Sequence, residues 1–159
     1  MFYLLLATFI IVGEISLKNR MEGGLSFSRS VPAFQRIPFL QGKILLRKYH
    51  NKGAFLNMME KKKKLLHLIS LLFTLVITLL FLFTLFQKGN KLLKLGLTLL
   101  LGGAFSNTYD RLCRGYVVDY FSFRTPFERF NRIVFNISDF CIIIGSLLLV
   151  VSDFLPRSQ

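Results

Sequence analysis

Acidic residues are scarce in this 159-residue sequence: 8 Asp and Glu stand against 21 Lys and Arg, a formal net charge of +13. Cysteine and histidine are scarcer still. Cys113 and Cys141 provide neither a disulfide framework nor a metal-ligand spacing, and Cys141 lies in an apolar run where a small packing residue is expected. His50 and His67 are 17 residues apart and outside any HExxH pattern, so no metal chemistry is expected. No nucleic-acid recognition motif accompanies the positive charge. Internal repeats are absent, and the one low-complexity stretch is Lys61 to Lys64. No Ser-Lys or Ser-His arrangement points to nucleophilic catalysis, because the histidines lie far from the serines of the C-terminal half.

Apolar residues are what the sequence has in quantity. They make up 53% of the chain, with 18 Phe among them. That is too apolar for a soluble domain of this size and indicates several membrane spans. The basic residues fall mostly between the apolar runs, where phospholipid headgroups are the natural partner and nucleic acid is not.

The first apolar run, Phe2 to Val12, has no Lys or Arg before it and no small-residue cleavage site after it. It therefore reads as the start of a spanning helix rather than a cleaved leader. The second, Leu65 to Phe86, has only His67, Ser70 and three Thr as polar members, and at 1.5 Å per residue it covers about 33 Å, a full span. The expectation is an all-α membrane protein of four transmembrane helices, at about 2–18, 65–86, 91–109 and 133–152, forming a single domain over 1–159. An uncharged window picks out the second and fourth strongly and the first and third weakly. Loop one, roughly 19–64, contains Gly23, Gly24, Pro32, Pro38, Gly42 and Gly53. The alternation in KILLRKYH (43–50) predicts a small sheet or strand pair there. QKGN (87–90) predicts a tight turn. Counting Lys and Arg beside each span places loop one and loop three, about 110–132, in the cytoplasm.

Two acids stand out against the general scarcity. Asp139 lies inside the fourth apolar run, and Asp119 lies 20 residues earlier in GYVVDYF. A carboxylate in lipid is costly and usually marks function. At 1.5 Å per residue Asp139 falls about 9 Å below its helix start, on the side where Asp119 must lie. Two carboxylates in contact cannot both ionise cheaply and hold one proton between them, which is the unit of aspartic proteolysis. Nearby, Asn107 and Arg111 are i,i+4 on one face, and Asn136 and Asp139 are i,i+3. Arg111 brings a fixed charge suited to a carbonyl or phosphate oxygen. Gly102 and Gly103 permit close helix approach, and Glu14 and Lys18 are i,i+4 partners at the end of the first helix. Two plainer roles remain open at this level. Asp139 could tie the bundle together through Asn107 or Arg111, and Asp119 could be an ordinary loop acid. Asp110 is expected to be one, paired with Arg114.

GGAFSNTYDR (102–111), GYVVDYF (115–121) and FNISD (135–139) together resemble the third- and fourth-helix motifs of the lipoprotein signal peptidase (signal peptidase II) family. The resemblance implies that Asp119 and Asp139 are a catalytic dyad. It also implies that Asn107, Arg111, Asn136 and Gly103 position dyad and substrate. NKGAF resembles a further family motif and brings in Asn51 and Gly53. Glu14 and Lys18 stand where the family has D-x-x-x-K, with Glu for Asp, as supporting residues; Ser138 stands where the family usually has Ala. The resemblance implies an extracytoplasmic β-cradle in loop one, a short helix in loop three, cytoplasmic termini and a dyad facing outward, against the charge count. The implied activity is aspartic endopeptidase cleavage of diacylglyceryl-modified bacterial prolipoproteins, N-terminal to the lipidated cysteine. Membrane lipids are further partners, no cofactor or metal is implied, and a monomer is expected. The rival readings are a catalytically inactive relative that binds lipidated peptides and a proton-coupled carrier with Asp139 as relay. The absence of repeats and broken helices speaks against the carrier.

Overall fold

A computed structural model of the chain describes residues 1–23, 37–39, 43–53 and 62–154. Four long helices are present: α1 (Phe2–Gly23), α2 (Lys63–Leu85), α3 (Lys91–Arg114) and α5 (Ile137–Phe154). Between α1 and α2 lie strands β1 (Ile37–Phe39) and β2 (Ile44–Asn51); between α3 and α5 lie strand β3 (Val117–Phe123) and the short helix α4 (Glu128–Asn131). Gly24, Pro32, Gly42 and Lys61 fall outside the described residues.

α3 is the hub. It packs against α1, α2 and α5, and its buried residues include Gly96, Leu97, Leu101, Ser106, Asn107 and Asp110. A helix surrounded by others carries its polar groups inward and lacks the all-round apolar surface of a lipid-facing helix. Among the described residues three helices, α1, α2 and α5, are long and apolar enough to cross a membrane; α3 is long but not apolar enough. The first run is thus stronger than its sequence window indicates. α2 and α5 present Leu68, Leu72, Leu79, Ile144 and Leu147 outward, each more than 45% exposed. That arrangement suits a hydrocarbon solvent.

Small and hydroxylated residues set the helix contacts. A Cβ on Gly102 would meet the Ile10 side chain of α1 at 2.6 Å, and one on Gly103 would run into the Ser138 carbonyl oxygen of α5. Thr74 of α2 and Thr108 of α3 hydrogen-bond through their hydroxyls at 2.8 Å. The α2–α3 turn forms as expected, with Gly89 and Asn90 at positive φ.

The strands form one antiparallel sheet in the order β1-β2-β3. β2 is the alternating segment singled out in the sequence; it pairs with β1 inside loop one, as expected there, and on its other side with β3, the strand after α3 that carries Asp119. Val117–Phe123 is a β-branched and aromatic run, so the signal was present. Tyr49 pairs with Asp119 and Asn51 with Val117 across the sheet. The other edge of β3 is stitched to Phe135: Tyr120 N and Phe121 N donate to its carbonyl at 2.9 and 3.0 Å, and Phe135 N donates back to Phe121 O at 2.7 Å. Phe121 stacks on Phe140 at a centroid distance of 5.5 Å, which holds β3 against the start of α5.

The helix ends correct the sequence boundaries. α1 runs past Lys18 to Gly23 because Met21 is buried against Val118 and Tyr120. α3 runs past Tyr109 to Arg114 and stops where Gly115, at φ 77°, caps it with its N–H on the Arg111 carbonyl. α5 starts at Ile137, not 133, because the residues before it extend along β3. The short α4 matches the helix that the resemblance implies for loop three.

Candidate active site

The sheet grows from the chain that follows α1 and α3, so it covers the end of the bundle where α5 begins. Asp119 and Asp139 meet there. Both line one cavity of about 290 Å³ together with Tyr49, Asn51, Asn107 and Arg111. Asp119 is 1% exposed. Because α5 starts late, Asp139 lies in its first turn, shallower than the sequence implied and at the positive end of the helix dipole.

Each of the four carboxylate oxygens accepts one hydrogen bond. Asp119 Oδ1 accepts from Asn136 Nδ2 at 2.6 Å and Oδ2 from Asn51 Nδ2 at 3.0 Å. Asp139 Oδ1 accepts from Asn107 Nδ2 at 3.0 Å and Oδ2 from the Asn136 backbone N at 3.1 Å. Asn136 Oδ1 in turn accepts from Asp139 N at 3.0 Å. Asn136 and Asp139 thus form a capping box in which the helix start and the dyad are one structure.

A donor fixes each asparagine's orientation. An amide oxygen must face an N–H, so its NH₂ is turned the other way. Asn51 Oδ1 accepts from Gly53 N at 3.3 Å, Asn107 Oδ1 from Lys18 Nζ at 2.8 Å, and Asn136 Oδ1 from Asp139 N. All three NH₂ groups consequently point at the dyad. Gly53 and Lys18 therefore contribute by orienting amides.

Burial, followed by the neighbouring Asp139 charge, pushes the Asp119 pKa up to about 7, against the lowering effect of its hydrogen bonds to Asn51 and Asn136. Arg111 Nη1 lies 3.4 Å from the Asn107 carbonyl. Arg111 Nε is buried with no hydrogen-bond partner among the described residues, so the guanidinium keeps donor capacity at the cavity wall. Gly103 brings α3 against the α5 turn that carries Asp139.

Beneath the dyad lies a buried ionic network. Lys18 Nζ is 3.2 Å from Asp110 Oδ2 and 3.8 Å from Glu14 Oε1, and it donates to Ser106 Oγ at 3.0 Å. Asp110 does pair with Arg114, at 2.9 Å, but it is not an ordinary loop acid. It is fully buried on the extended α3, and its Oδ2 accepts from Val118 N at 3.1 Å, one residue before Asp119. The clue was its spacing of three from Asn107, which places both on one helix face. Tyr120 was also missed. Its hydroxyl donates to Glu14 Oε2 at 2.9 Å and accepts from Ile137 N at 3.0 Å. Burial and the Glu14 charge raise its pKa above the ordinary phenol value, so it remains a donor. Glu14 and Ser138, the two departures from the motif pattern, touch: Ser138 N and Oγ both donate to Glu14 Oε1 at 3.2 Å.

Fold and site define a helical membrane protein with a buried carboxylate pair at one end of its bundle. The chain belongs to the signal peptidase II family: the family model Signal peptidase (SPase) II matches residues 6–155. It is therefore a peptidase of a bacterial membrane family, and membership supports a lipoprotein signal peptidase role with prolipoproteins and membrane lipids as partners. Two solved structures share the fold. One, a bacterial membrane enzyme determined in meso at 2.3 Å, superposes with a TM-score of 0.75 at 20% identity, covering 96% of this chain and 87% of that one. A second, determined in meso at 1.9 Å, gives a TM-score of 0.68 at 20% identity, covering 98% and 94%.

Proposed function

We propose that this chain is a membrane aspartic endopeptidase that removes the signal peptide from diacylglyceryl-modified bacterial prolipoproteins, cutting N-terminal to the lipidated cysteine. The observation that carries this is the buried pair Asp119 and Asp139 in one cavity, with every carboxylate oxygen held by a donor. Such a pair is preorganised and changes little as charge develops in the reaction.

Asp119, whose pKa burial and the Asp139 charge push up to about 7, carries the shared proton as the reaction begins, and Asp139 acts as the base. Asp139 takes a proton from a water molecule as the water oxygen bonds to the scissile carbonyl carbon. Asp119 transfers its proton to the carbonyl oxygen, so that the tetrahedral intermediate is a neutral gem-diol. As that intermediate collapses, one hydroxyl returns its proton to Asp119 and re-forms the carbonyl, the C–N bond breaks, and the proton gained by Asp139 passes to the leaving amine. Asn51, Asn107 and Asn136 hold the dyad. Arg111 offers donors to a substrate oxygen. Gly53, Gly103, Glu14 and Lys18 support these groups. No step calls for a cofactor.

The whole chain acts as a single four-span domain, monomeric, with α3 as the fourth span inside the other three. Its 24 residues cover about 36 Å at 1.5 Å each. The termini are cytoplasmic, and the sheet and dyad face the extracytoplasmic side.

The test is cleavage of a diacylglyceryl prolipoprotein by purified chain in bilayer discs. Asp119→Asn and Asp139→Asn are each expected to lower kcat by about 10³-fold. Binding without cleavage by the parent would instead identify an inactive relative. Cleavage that survives either substitution would remove the dyad from the mechanism.

A further inference from the structure

Glu14 is bonded to the neighbours of both dyad members. Tyr120 follows Asp119 on β3, and Ser138 precedes Asp139 on α5. One carboxylate takes the Tyr120 hydroxyl on Oε2 at 2.9 Å and the Ser138 N–H and hydroxyl on Oε1 at 3.2 Å. The Tyr120 hydroxyl has a single proton, which goes to Glu14; its lone pair is then free for the Ile137 N–H at 3.0 Å. Glu14 is 3%, Tyr120 4% and Ser138 0% exposed, so water does not compete for these bonds. Only an acceptor with two oxygens satisfies three converging donors, and an amide at this position would turn its own NH₂ toward one of them. Lys18 balances the charge at 3.8 Å.

We propose that Glu14, Tyr120 and Ser138 form a positioning clasp that sets the separation of Asp119 and Asp139, joining the strand that carries one to the helix turn that carries the other. The clasp touches neither substrate nor reacting atoms, and its role rests on the aspartic peptidase function proposed above. Separation matters because two carboxylates share a proton only while close, and the gap between their two ionisations narrows as they move apart. The other charged or titratable groups beside it are Lys18 on α1 and Asp139 and Cys141 on α5, with Asp110 on α3 reached through Lys18. They are left unchanged by the test below.

The test compares the parent with Tyr120→Phe, Ser138→Ala and the double variant, as full chains in bilayer discs. The readout is cleavage of a diacylglyceryl prolipoprotein as a function of pH. Each single variant removes one oxygen and keeps its carbon frame. Each is expected to lower kcat about tenfold, because small misplacements of reacting groups are that costly. KM is expected to stay within about twofold, since ground-state binding is untouched. The acid and basic limbs of the pH profile are expected to draw together. The double variant is expected to lose less than the product of the single losses, because both act through Glu14. Ser138→Ala leaves the Ser138 N–H on Glu14 and carries the test alone if Tyr120→Phe does not fold. Variants with parental kcat, with a raised KM only, or with lowered kcat and unmoved pH limbs would overturn the clasp while leaving the peptidase function standing. Failure of the parent to cleave would overturn both.

Discussion

At the residue scale the site depends on asparagines whose orientation is forced. Gly53 N, Lys18 Nζ and Asp139 N each take an amide oxygen and turn the corresponding NH₂ to a carboxylate. None of this requires an exposed charge, which is why the dyad can be buried. Asp119, pushed up to about 7 by burial and by Asp139, stands well above the roughly 3.9 of an unfolded Asp. The folded state therefore binds the proton more tightly between these values. The resulting stability is fully present below about pH 4 and is lost as pH rises through about 7. Thermal unfolding in detergent should show the parent losing stability over that window, and Asp119→Asn should flatten the loss. Activity should fall along a basic limb near the same pH. A parent whose unfolding temperature is level from pH 4 to 8 would contradict the raised value. Asp119, Asp139, Asn107, Arg111 and Asn136 were legible as a group from motif and spacing. Asp110 and Tyr120 were not singled out: spacing put Asp110 on the face of Asn107, but its ion pair with Lys18 and the Tyr120 bond to Glu14 join segments remote in sequence.

At the element scale the sheet and the α3–α5 contact decide whether the dyad forms. β3 places Asp119, and the Asn136 cap places Asp139. The Phe135 ladder joins them. The helices were legible in the apolar runs, and β2 in its alternation. Strand β3 was missed because its pairing partner lies in the first loop, some 70 residues earlier, and local pattern does not name a partner. The glycines separate two kinds of contact. A Cβ on Gly102 meets a side chain, whereas one on Gly103 meets the backbone oxygen of Ser138. Backbone cannot rotate away. Gly103→Ala is therefore expected to destabilise by about 1–3 kcal/mol and to impair cleavage, and Gly102→Ala to do less of both. Melting curves and cleavage rates of the two variants check the order; equal effects would contradict it.

At the scale of the whole molecule the chain is turned inside out relative to a soluble protein. Leucines line the outside of α2 and α5, while Glu14, Lys18, Asp110, Asp119 and Asn136 are buried at the bundle's end. Reporter fusions should read the C-terminus as cytoplasmic and the β2 loop as external, so a C-terminal reporter that reads as external would reverse the proposed orientation. Length, apolar runs and charge balance by themselves determined a helical membrane protein, and motif spacing determined the pair of aspartates and its family. Those properties are local, since a lipid solvent selects for apolar runs of a given length and a helix converts spacing into a shared face. Tertiary structure alone decided that β3 pairs with β2, that α3 is the enclosed helix, and that Glu14 reaches the neighbours of both aspartates. These depend on which distant segments pack together, and helical period carries no information about that.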